Sequence, residues 1–85
     1  MRRDPDHFGD QELTLLYVAR KLKEALQVEE VLTAAGIDYL AEPDTYKGGV
    51  VFQTERVGVF FYLAPSDDSA ARDLLLRAGF APYKP

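Results

Sequence analysis

The sequence contains no cysteine, no tryptophan, one histidine and one methionine in 85 residues. Without cysteine there is no disulfide framework, no thiol nucleophile and no thiolate metal site, and the composition fits a reducing, cytoplasmic compartment. A lone His7 excludes a multi-histidine metal centre within one chain. No apolar run approaches the roughly 18–20 residues that a helical membrane span needs. The Arg2-Arg3 pair leads into Asp4-Pro5-Asp6 and not into a signal-peptide apolar segment. Basic residues are also short: ten Lys and Arg against fourteen Asp and Glu give a formal charge of −4, which opposes unspecific attraction to nucleic acid.

What is present is apolar residue, at 47% of the chain. A single domain of this size hides only about 60–65% of its unfolded surface, so most of those residues are needed for the core. Residues 1–10 show neither helical nor strand periodicity and carry Pro5 and Gly9, which predicts a flexible N-terminal tail before one domain over residues 11–85. His7 falls in that tail, where a catalytic histidine would lack a rigid support.

Residues 12–19 are short, apolar and large on both faces of the pleat, as in an interior strand. From Arg20 to Ala35 the period becomes helical, with Leu22, Ala25, Val28, Leu32 and Ala35 on one stripe and Gly36 as the left-handed stop. Glu29 lies beside the stripe, where pairing with a neighbouring cation accounts for it. Residues 37–42 read as a second strand that Pro43 closes or confines to a sheet edge. Residues 43–49 have turn composition, residues 50–53 are extended, residues 54–56 turn, and residues 57–63 form the most strand-like stretch. Ser66 is the expected cap of a second helix carrying Ala70, Ala71, Leu74, Leu75 and Ala78 inward to a stop at Gly79, followed by a short edge strand over residues 80–83. Leu15, Leu22, Leu32, Phe61, Leu74 and Leu75 are the predicted mutual core.

This order is that of the α+β, ferredoxin-like βαββαβ sandwich: a four-stranded antiparallel sheet with the first and third strands central and two helices on one face. The other face is left bare. On the third strand, residues 57, 59, 61 and 63 make the aliphatic row assigned to the helices, leaving Phe60 and Tyr62 with Gly58 outside. Tyr17, Phe60 and Tyr62 are therefore the candidate interface or ligand-binding aromatics. Such a patch is rarely left uncovered, and a symmetric dimer covers it with one surface, so a homodimer or another protein partner is expected.

Leu16-Tyr17-Val18-Ala19 leading into Glu24-Ala25, Val28, Val31-Leu32 and Ala34-Ala35-Gly36-Ile37 resembles the first half of a small bacterial family of unknown function, described as prokaryotic signal transducing proteins. Leu63-Ala64-Pro65, Ser66-Asp67-Asp68, Ala70-Ala71, Leu74-Leu75 and Gly79 continue the resemblance, which spans roughly residues 15–80. It implies a ferredoxin-like core related in shape to the PII nitrogen regulators, a regulatory role, and no catalytic residue. In those regulators the connection between the second and third strands contacts partners, which adds Tyr46, Lys47, Gly48 and Gly49 to the candidates.

Three other chemistries are weighed against this reading. Lys47-Gly48-Gly49 could offer an ammonium and backbone donors to an anion, but a phosphate loop runs from strand to helix with the lysine after the glycines. Tyr17 and Phe60 resemble the base-stacking pair of RNA-recognition modules, so single-stranded RNA binding on the aromatic face is the alternative function; the third strand, Arg56-Val57-Gly58-Val59-Phe60-Phe61-Tyr62, matches their motif only in part. Glu29-Glu30 and Asp67-Asp68 are neighbours on helices and diverge by about 100°, so neither pair converges on a metal or a substrate. No cofactor and no set of nucleophile, base and orienter emerges. The expectation is a non-catalytic regulatory or interaction domain, self-associating or sensing a small effector.

Overall fold

The computed structural model describes residues 1–47 and 55–83, with strand residues 44–47 and 55–57 described by backbone alone. The elements in chain order are α1 (Pro5–Phe8), β1 (Thr14–Ala19), α2 (Leu22–Ala34), β2 (Leu40–Lys47), β3 (Glu55–Leu63) and α3 (Pro65–Arg77). The α+β class holds, but among the described residues the sheet has three antiparallel strands in the order β1-β3-β2, not four. β3 is central and β1 is an edge. Residues 80–83 run beside β1 without forming a ladder: Tyr83 N–H donates to the Leu16 carbonyl at 2.7 Å, while Pro82 has no N–H to give.

The alternation of β3 sets the layers. Phe61 and Leu63 are fully buried and share one cluster with Ala25, Val28 and Leu32 of α2 and Ala71 and Leu75 of α3. Both long helices therefore pack on one face of the sheet. Tyr39, just before β2, joins the same cluster with its ring 5.7 Å from Phe61, and its hydroxyl donates to Glu29 Oε1 at 3.2 Å. Arg2 stands 3.9 Å from the same carboxylate, so Glu29 at the stripe's border is a paired structural group.

Helix ends follow local rules. Gly36 and Gly79 take φ of 73° and 92°, and Ile37 and Phe80 N–H groups return to the Leu32 and Leu75 carbonyls. The start of α3 differs from expectation: Ala64 is the cap, and Pro65 rather than Ser66 opens the helix, because a first-turn proline loses no hydrogen bond and its φ is already helical.

Residues 1–10, read from the sequence as a tail, contain the single-turn α1 and a parallel bridge between Arg2 and Tyr39. Arg3 N–H donates to the Tyr39 carbonyl at 2.8 Å, and its guanidinium Nε to Asp38 at 2.9 Å. β2 runs straight through Pro43 to Lys47, and β3 begins at Glu55, so residues 43–47 and 55–56 are strand where turns were expected. Pro43 is tolerated because β2 is an edge with only one neighbour to satisfy among the strands.

Two of the six predicted core residues are elsewhere. Leu22 is 73% exposed, and Leu15 is only half-buried, whereas Leu32, Phe61 and Leu75 are fully enclosed and Leu74 packs against the cluster. Helical spacing puts Leu22 on the stripe, but a stripe position is buried only where another element faces it. Leu75→Ala should accordingly cost about 2–5 kcal/mol in denaturant unfolding, and Leu22→Ala less than about 0.5 kcal/mol. Equal losses would contradict the placement of the core.

Candidate functional site

The candidate site is the sheet face turned away from α2 and α3, and cross-strand register defines it. Phe60 and Tyr62 alternate with the buried Phe61 and Leu63, so they point outward from the helices. Val18 and Glu42 lie opposite Phe60 on either side, and Leu15 and Leu40 lie opposite Tyr62. Two rows thus cross three strands: Val18, Phe60 and Glu42 in one, Leu15, Tyr62 and Leu40 in the other. Leu15, Val18, Phe60 and Tyr62 are half-buried, Leu40 is buried without belonging to the helix-side cluster, and Glu42 is exposed. Gly58 stands on the same face opposite Asp44 and leaves it without a side chain there. Five of the six side chains in the two rows are apolar or aromatic.

Tyr17 does not belong to this face. A bulge between Leu15 and Tyr17 shifts the register, so Tyr17 pairs with Phe61 and points toward the helices. It is 8% exposed, and its ring meets Phe80 edge-on at 5.8 Å. Burial pushes its phenol up to about 12 from an ordinary 10, and a hydrogen bond with Glu24 acts in the same direction. Tyr39 is also raised, first by burial. The stacking pair Tyr17 and Phe60 is therefore split between two faces, which removes the arrangement on which the RNA alternative was built.

Tyr46 and Lys47 lie at the end of β2, in register with Arg56 and Glu55. Gly48 and Gly49 lie outside the described residues. His7 is placed 3.5 Å from Asp38, a carboxylate whose pKa is lowered first by its hydrogen bond from Arg3. Among the described residues no group of three or more His, Asp or Glu is placed to hold a metal ion, and no helix is long and apolar enough to cross a membrane.

Sequence reasoning found Phe60 and Tyr62 from strand alternation but missed that Leu15 and Leu40 complete their row. β1 carries large apolar residues at four successive positions, 15–18, and such a run gives no parity to read. No family model matches the chain, and no curated protein or solved structure matches it.

The buried phenol yields a pH dependence. Because its folded pKa is raised, Tyr17 contributes stability that is complete below pH 10 and is lost as pH rises through about 12. Stability of the unsubstituted chain should fall more steeply between pH 10 and 12 than that of Tyr17→Phe, measured by urea unfolding. Parallel curves would show that Tyr17 titrates as it does in the unfolded chain.

Proposed function

We propose that this chain is a non-catalytic, cytoplasmic regulatory or protein-interaction domain that forms a homodimer through the outer face of its sheet. The observation that supports this most is the pair of cross-strand rows, in which Val18 flanks Phe60 and Leu15 and Leu40 flank Tyr62 on the face that α2 and α3 leave uncovered. Apolar side chains contiguous across three strands form a surface whose burial is favourable at about 25 cal/mol per Å². A two-fold axis through it would bury the patch twice with one set of residues. Glu42 at the margin fits the polar rim of such a contact. The reading is non-catalytic because the sequence assembles no nucleophile with a base and an orienting group. The resemblance to the signal transducing family supports a regulatory role and names no effector.

Light scattering or sedimentation on the purified protein tests this. The unsubstituted chain should run as a dimer, and Phe60→Lys should give a folded monomer, because the new charge sits where the partner would pack. Val18→Lys, opposite Phe60 in the same row, should act alike. A chain that is monomeric at every concentration contradicts the proposal; a monomer whose melting temperature rises with single-stranded oligonucleotides would replace it with nucleic-acid binding.

A further inference from the structure

The stretch Leu13-Thr14-Leu15-Leu16-Tyr17-Val18-Ala19 is seven residues long without charge, proline or glycine, and Glu12 and Arg20 bound it. Uncharged, β-prone segments of this length pair readily with copies of themselves when their backbone is unpaired. β1 is nevertheless an edge strand, with β3 on one side and residues 80–83 on the other.

That covering is slight and centres on one guanidinium. Arg72 Nη2 donates to the Leu15 carbonyl at 3.3 Å, Nη1 to the Tyr83 carbonyl at 2.5 Å, and Nε to Asp68 Oδ2 at 2.8 Å. Tyr83 N–H to the Leu16 carbonyl is the backbone hydrogen bond that joins the segment to β1. Phe80 contributes its edge-on contact with Tyr17, while Ala81 and Tyr83 are exposed. A segment held by so few contacts opens at a small fraction of the free energy of global unfolding.

We propose that residues 80–83, clipped by Arg72, are a releasable guard on the β1 edge, and that their release lets β1 pair antiparallel with β1 of a second copy. The charges at the ends of the strand favour that occupant. The Leu16 carbonyl already points outward, since it receives Tyr83 N–H. A two-fold axis at Leu16 makes it its own partner and places Glu12 of each copy opposite Arg20 of the other. A parallel arrangement in register would set like charges together. This contact is separate from the outer face and does not rest on it.

The test uses the full chain in the Phe60→Lys background. Tyr83→Pro removes the donor to Leu16, and Arg72→Met removes the clip. The variant carrying both should double in mass as concentration rises while its parent does not, and amides of β1 should gain exchange protection with the same concentration dependence. Adding Glu12→Lys should weaken the dimer about tenfold at low salt, and adding Arg20→Glu to that should restore it, as expected for an interfacial charge pair. Tyr83→Pro alone alters one exposed residue and is read in the same way if the double variant does not fold. A folded released variant that stays monomeric, or a mass gain unaffected by the charge exchange, overturns the proposal. If the Phe60→Lys parent is itself dimeric, the outer-face reading fails while the further mass gain on release still decides this one.

Discussion

A three-stranded antiparallel sheet backed by helices on one side has two edges and one face left to satisfy, and the remaining features of this chain answer that constraint. The helix-side face is met by the cluster around Phe61, Leu63, Leu32 and Leu75. The β2 side is met by residues 1–3, whose backbone bridges Tyr39 and whose Arg2 guanidinium donates to the Ala41 carbonyl at 3.2 Å. The β1 side is met by Arg72 and Tyr83. Segments outside the sheet thus cover positions on both of its edges, using guanidinium groups where a complete strand ladder does not form. In the proposed account a second copy meets the outer face.

Placement of β3 in the centre explains why its sequence is the easiest to read. A central strand is constrained on both edges and both faces, so residues 59–63 must alternate in step with two neighbours at once. The core depends on this strand in two ways: its helix-side row anchors α2 and α3, and its register fixes which residues of β1 and β2 share each face. Phe60 and Tyr62 owe their outward position to Phe61 and Leu63 being inward, so site and core are two results of one alternation.

The two long helices, their glycine stops, the antiparallel pairing of β2 with β3 and the outward position of Phe60 and Tyr62 were all legible in residue spacing. The errors have separate physical causes. Tyr17 was placed outside because a bulge within an unbroken apolar run leaves no trace in the pattern. Leu22 was placed inside because periodicity reports a helix face without reporting where along its length the sheet lies. The fourth strand was counted because residues 80–83 have strand-forming side chains, yet a ladder needs donors, and Pro82 supplies none. Residues 1–3 lack any apolar signal; they dock through backbone bonds and guanidinium groups, which hydropathy does not register.

The most direct measurement of the central claim is the solvent accessibility of individual side chains in solution, read as relaxation enhancement by a soluble paramagnetic agent in NMR spectra at low and high protein concentration. The account predicts that Leu15, Val18, Phe60 and Tyr62 lose accessibility as concentration rises, while exposed Leu22 and Leu76 on the helices keep theirs unchanged. Accessibility of the outer-face residues that stays constant with concentration, or protection appearing instead on the helices, would contradict it.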